Sequence, residues 1–172
     1  MVSLSLLSRR GLNSLGAAAC AAMMGFALYA QYILELEPCP LCIFQRVAVI
    51  AMGVVFLLAA LHDPGRTGAR IYGLLVAIPA AAGVGVAARH VWLQGLPPDQ
   101  VPECGPGLDY MLDVFPVMEA LDMIFSGSGE CAEVSWRMLG LSMPTWVIIG
   151  CAGLGIAGLL GNWLLERRSR RI

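Results

Sequence analysis

Residues 39–62 read CPLCIFQRVAVIAMGVVFLLAALH, and most of the fold follows from this stretch. Two cysteines three positions apart open it, Arg46 sits just inside, and from Val47 to Leu61 no charge interrupts the apolar run. A helix needs about 20 largely apolar residues to cross a bilayer's hydrocarbon core. Val47–Leu61 alone is too short, so a spanning helix here starts near Ile43 and tolerates Arg46 in its early turns. Three further charge-free runs lie at Gly11–Leu34, Ile71–Ala88 and Thr145–Leu165. They extend the reading to four spans, at approximately 11–33, 43–62, 70–92 and 145–165. None of the runs alternates apolar with polar residues, as a membrane β-barrel strand would. Helices are the natural choice, because lipid cannot satisfy open backbone groups.

Composition agrees with this reading. The 172 residues are 58% hydrophobic and 13% charged, with a mean hydropathy of +0.74. A soluble domain carries roughly 25% charged residues, and here about half of that is missing, in blocks. The chain has no lysine and no basic stripe, so nucleic-acid binding has no electrostatic footprint. The length suits a single membrane domain.

Arginine placement orients the bundle. Arg9 and Arg10 precede the first span, Arg66 and Arg70 flank the second connection, and Arg167, Arg168, Arg170 and Arg171 follow the last span. Four spans put these segments on one side, which should be cytoplasmic, with both termini there. Ten acidic residues, from Glu35 to Glu133, fall on the other side, accompanied only by Arg46, Arg89 and Arg137. The expected architecture is an all-α membrane protein, a four-helix transmembrane bundle with a short first periplasmic loop (34–42) and a long second one (94–144). A cleaved signal peptide competes for the first run. That run exceeds the usual apolar core of about 7–15 residues, and cleavage would place the termini on opposite sides.

In the second loop, Met111, Val114, Phe115, Met118, Leu121 and Phe125 recur at helical spacing, with Pro116 interrupting them. Such a stripe fits an amphipathic helix resting on the membrane or packing on the protein itself.

The six cysteines sort by position. Cys20 and Cys151 lie mid-span, where cysteine serves as a small apolar residue. Cys39, Cys42, Cys104 and Cys131 fall in the two outer loops, and in a bacterial periplasm disulfides persist. Cys39 and Cys42 read as redox-active. A Cys-x-x-Cys pair at a helix start has the positive helix end to stabilise a thiolate, and Pro40 suits the first helical position. Arg46, one turn beyond Cys42, projects from the same face and adds a cation. An arginine this close to hydrocarbon is a functional-site candidate, although a snorkelling anchor also accounts for it. Zinc is a rival for the close pair, but Cys104 and Cys131 are too far apart in sequence to supply a second one. Those two fit a structural staple worth ~3–4 kcal/mol as well as an exchanging pair. His90 ends the third span at a depth similar to Arg46. A polar pocket shared by the two could hydrogen-bond a quinone carbonyl, with the imidazole suited to moving a proton.

At this point the residues resemble a known family. Cys39-Pro40-Leu41-Cys42-Ile43-Phe44-Gln45-Arg46 is similar to the Cys-x-x-Cys-x-x-x-Arg signature of the DsbB disulfide bond formation proteins. Gly127 to Glu133, Trp136, and Leu139 to Trp146 resemble that family's second-loop end. The likeness covers nearly the whole chain, and it implies a quinone-dependent protein-disulfide oxidoreductase of the bacterial inner membrane. Its protein partner would be a DsbA-like periplasmic thiol oxidase, and its cofactor ubiquinone or menaquinone. DsbA would attack Cys104 of a Cys104–Cys131 disulfide, after which Cys131 would attack Cys39 and release Cys42 beside the quinone. Arg46, His90 and Met143 match positions near the quinone. Arg89 stands where some relatives carry an acidic residue. Two other readings remain, namely a paralogue serving a dedicated partner other than DsbA and a non-catalytic membrane protein presenting a stapled loop.

Overall fold

A computed structural model describes residues 8–97, 99–101, 110, 113–127 and 129–165. Cys104, Met111 and the arginines at 167, 168, 170 and 171 lie outside the described residues. Four long helices dominate: α1 (Arg9–Tyr32), α2 (Pro40–His62), α3 (Arg66–Gln94) and α6 (Met143–Leu164). Between the last two lie α4 (Val117–Ser126), the single turn α5 (Gly129–Ala132), and the strands β1 (Arg137–Met138) and β2 (Leu141–Ser142). All four long helices are apolar and long enough to cross a membrane. The protein is an all-α membrane protein built on a four-helix transmembrane bundle.

The termini of these helices follow from local chemistry. The Ser8 side chain accepts from the Gly11 N–H and caps α1. Pro40 and Pro144 occupy the first turns of α2 and α6, where a missing N–H costs nothing. Asp63 closes α2 in the left-handed conformation, and residues 63–65 then turn the chain directly into α3. Pro79 lies inside α3, a position that membrane helices tolerate because neighbouring groups satisfy the freed carbonyl.

Each helix packs mainly on its ring neighbours, in the order α1, α2, α3, α6, with the α1–α6 seam the lightest. Without a hydrophobic drive between helices in lipid, close packing of small residues holds such bundles together. At Gly155 an added Cβ would lie 2.6 Å from Ala80 Cβ, and at Gly158 2.7 Å from Val76. Phe56, 1% exposed, fills the centre with Met52, Val76 and Cys151. The amides of Asn13 and Asn162 pair reciprocally across α1 and α6, at 3.0 and 2.9 Å, and both residues are buried. The outward faces carry residues such as Ile78 and Ile156, 66% and 60% exposed, which suit lipid rather than water.

The segment after α3 folds back over the end of the bundle that holds Cys39. Pro116 interrupts the apolar stripe and stands at the N-terminus of α4. Ile124 is buried and Leu121 half-buried, whereas Val114 and Met118 from the same stripe stay exposed. One edge of the helix thus packs on the protein, while Val117 and Met118 remain exposed. The β1–β2 ladder is two residues long on each side, paired Arg137 with Ser142 and Met138 with Leu141. Leu139 and Gly140 turn it with φ of 52° and 80°, a primed-turn geometry that suits glycine and strains leucine.

Candidate functional site

Cys39 is the N-cap residue of α2, in extended conformation, and Pro40 begins the helix. The next turn brings Cys42 round to the same side, so that the two sulfurs lie 3.1 Å apart as hydrogen-bonded thiols. His90, near the end of α3, faces them. Its Nε2 lies 3.8 Å from Cys39 Sγ and its Nδ1 3.9 Å from Cys42 Sγ. The imidazole is 3% exposed, and the side-chain amide of Gln45, itself 4% exposed, lies 3.0 Å from Nδ1. With Gln45 donating, Nδ1 accepts and the proton sits on Nε2, on the Cys39 side. A flipped amide reverses both. The orientation of the Gln45 amide is therefore coupled to which edge of the ring is a donor.

Arg46 points from α2 towards α1. Its guanidinium donates to the Gln31 side-chain oxygen and to the Ala27 carbonyl, the latter at 3.1 Å. Both partners are neutral, so the positive charge is held in place rather than cancelled. A cavity of ≈ 120 Å³ opens between α1, α2, α3 and α6, and Cys39, Cys42, Arg46, His90 and Met143 all border it. Met23, Val49 and Val147 supply apolar wall, and Glu37, Glu130 and Glu133 stand around it as well. The cavity is comparable to the about 150 Å³ space known to admit one benzene ring. It combines apolar faces with fixed donors, an arrangement suited to a flat ring bearing carbonyl oxygens.

Cys131 approaches from the other segment. It is fully buried on α5, in one apolar cluster with Cys39, Leu41, Leu93 and Ile124. Of the seven residues singled out in the sequence, six thus gather at one end of the bundle, and Cys104 lies outside the described residues. The ligand atoms of Cys39, Cys42 and His90 fall within 4.8 Å of one another. Such a set could hold a soft cation, one donor short of the four that close a structural zinc site.

Comparison with known proteins identifies the family. The family model of disulfide bond formation protein DsbB matches residues 9–161. The chain belongs to the DsbB family. Disulfide bond formation protein B of Chromobacterium violaceum is 51% identical over 169 residues, covering 98% of this chain and 99% of the relative. The protein of the same name from Nitrosococcus oceani is 53% identical over 161 residues, 94% of each chain. That of Methylococcus capsulatus is 51% identical over 95% of this chain and 100% of its own. As a DsbB-family member, the protein is a multi-pass membrane disulfide oxidoreductase.

Two site residues carry no role in the sequence reading, Gln45 and Gln31. Both are polar side chains within or at the edge of an apolar run, which is itself a signal of function in a membrane helix. Gln45 even stands inside the quoted motif. What the sequence hides is the partner, since His90 is 45 positions away.

Proposed function

We propose that this protein reoxidises a DsbA-like periplasmic thiol oxidase and passes the electron pair through two cysteine pairs to a membrane quinone, ubiquinone or menaquinone. The carrying observation is that Cys39 and Cys42 border the same cavity as Arg46, His90 and Met143, while Cys131 packs in one cluster with Cys39. In this reading, a thiolate of the reduced partner attacks Cys104 of a Cys104–Cys131 disulfide. A mixed disulfide forms, and Cys131 leaves with the electron pair. The partner's second thiol then resolves the mixed bond and departs oxidised, which leaves Cys104 and Cys131 as the reduced pair. Cys131 attacks Cys39, the Cys39–Cys42 bond breaks, and Cys42 is released as a thiolate at the cavity wall. Cys104 then attacks Cys131, restoring the outer disulfide and releasing Cys39.

Two thiols now face the cavity carrying two electrons and two protons. A quinone held here would supply the acceptor for that electron pair and its two protons. Arg46 would hold one carbonyl through its fixed charge, Met143 and the apolar walls would seat the ring, and His90 would hold or move a proton at Nε2 or Nδ1 under the control of Gln45. The bracing of Arg46 by Gln31 and the Ala27 carbonyl supports this assignment, because it fixes the guanidinium at the cavity wall without an ion pair to either partner. The reading places the dithiol end of the bundle in the periplasm and both termini in the cytoplasm of a bacterial inner membrane.

The test is quinone reduction by the purified full-length protein, driven by reduced DsbA. Turnover is expected with the native chain and is lost in Cys104→Ser. A native chain that oxidises DsbA without consuming quinone overturns the cofactor assignment. A chain that consumes quinone with a small dithiol but never with DsbA points instead to a dedicated partner.

A further inference from the structure

Arg89 is next to His90 in sequence but does another job. Consecutive helical residues project about 100° apart, and while His90 turns to the thiols, Arg89 reaches the end of α4. Its Nε donates to the Phe125 carbonyl at 3.1 Å and its NH2 group to the Ser126 carbonyl at 2.9 Å. These belong to the last turn of α4, whose carbonyls have no partner within the helix and carry the negative end of its dipole. The guanidinium also lies over the Trp92 ring, 4.2 Å from its centroid, which restricts how it can swing.

Two described features follow between the clamp and Cys131. Gly127 adopts φ +93° against Leu93, so closely that an added Cβ would lie 2.6 Å from the Leu93 side chain. The single turn α5 then carries Cys131 into the cluster with Leu93 and Cys39. Arg89, His90 and Leu93 thus give one end of α3 three tasks: holding the segment, facing the dithiol and seating the turn.

We propose that Arg89 is a positioning residue for disulfide exchange, clamping the end of α4 to α3 so that Cys131 is delivered to Cys39. The inference rests on the exchange step proposed above. In that step Cys131, as a thiolate, forms a bond to Cys39 Sγ, the Cys39–Cys42 bond breaks, and its electron pair leaves on Cys42. Arg89 touches none of these atoms. It raises the effective concentration of one sulfur at the other, as fixed geometry does for any intramolecular attack.

The experiment uses the full chain in detergent with Cys42→Ser and Cys104→Ser, leaving Cys39 and Cys131 to pair. Equilibration against glutathione measures the effective concentration of Cys131 at Cys39. Arg89→Ala is expected to lower it by about tenfold or more, the scale of two lost charge-assisted hydrogen bonds. Arg89→Lys should fall between, keeping the charge but not the two-pronged geometry. Gly127→Ala, which displaces the same segment without touching the cation, should lower it too. In a chain carrying Cys104→Ser and Cys131→Ser, reduction of Cys39–Cys42 by dithiothreitol should proceed equally fast with and without Arg89→Ala, since that reaction cannot pass through Cys131. Equal effective concentrations in the Arg89→Ala and parent chains overturn the clamp. A parent chain that forms no Cys39–Cys131 bond overturns the exchange step itself, and the clamp with it.

Discussion

Two pairs of cysteines share this bundle and could hardly be more differently placed. Cys20 and Cys151 sit in the central cluster with Phe56, Met52 and Val76, 3% and 0% exposed, among apolar atoms and close-packed glycines. Cys39 and Cys42 sit at a helix start, beside an imidazole and on the wall of a cavity. The residue type is the same, and the surroundings decide the chemistry. A thiol with no base, no cation and no room for a reactant is a small hydrophobe. One with all three can exchange. The polar residues divide in the same way. Asn13 and Asn162 satisfy each other, and Asn162 also donates to the Gly158 carbonyl. His90 and Arg46 are held in position yet still border open space.

Substitutions can break this contrast, and the largest effect belongs to Cys42→Ser. Turnover should drop by at least about a thousandfold, because residues that act as one unit fail together, measured as DsbA-driven quinone reduction. Arg46→Ala comes next. An expected rise of about tenfold in the quinone KM corresponds to one charge-assisted hydrogen bond, and unchanged quinone kinetics would remove Arg46 from the cofactor site. Gly155→Leu probes the packed centre instead. Overpacking against Ala80 should cost about 1–3 kcal/mol of stability, read as a lowered midpoint of thermal unfolding in detergent. The smallest effect is expected from the double variant Cys20→Ala, Cys151→Ala, with turnover within about twofold of native. A loss comparable to Cys42→Ser there would erase the distinction between the two pairs.

How much of this was legible beforehand varies with the physics behind each element. The spans were readable because crossing a bilayer demands a long apolar helix, a strong and local signal. The Cys39–Cys42 pair and Arg46 were readable because helix-start chemistry depends on neighbours one turn away. The mutual placement of His90, Gln45 and the thiols was not, since it depends on how α3 docks against α2. The pairing of Asn13 with Asn162 was not legible either, since only the meeting of α1 with α6 brings them together. The β1–β2 turn escaped detection for another reason. Two residues per strand are too few to show alternation, and Leu139 is a poor advertisement for a positive-φ turn. The stripe around α4 was visible, but its buried edge is set by Ile124 docking beside Leu93, which no periodicity specifies.

The length of α3 has a consequence in bilayer mechanics. At 29 residues it is the longest of the four, against 24, 23 and 22 for α1, α2 and α6. With a rise of about 1.5 Å per residue it measures roughly 43 Å, well beyond a hydrocarbon core of about 30 Å. The three-residue connection 63–65 joins α2 to α3 at one end, and the other end of α3 carries Leu93, packed in one cluster with Cys39 and Leu41 at the start of α2. A helix this long must tilt or overhang, and its balance between the two shifts with membrane thickness. Cys131, packed in one cluster with Leu93, rides on that end of the longest mast in the bundle.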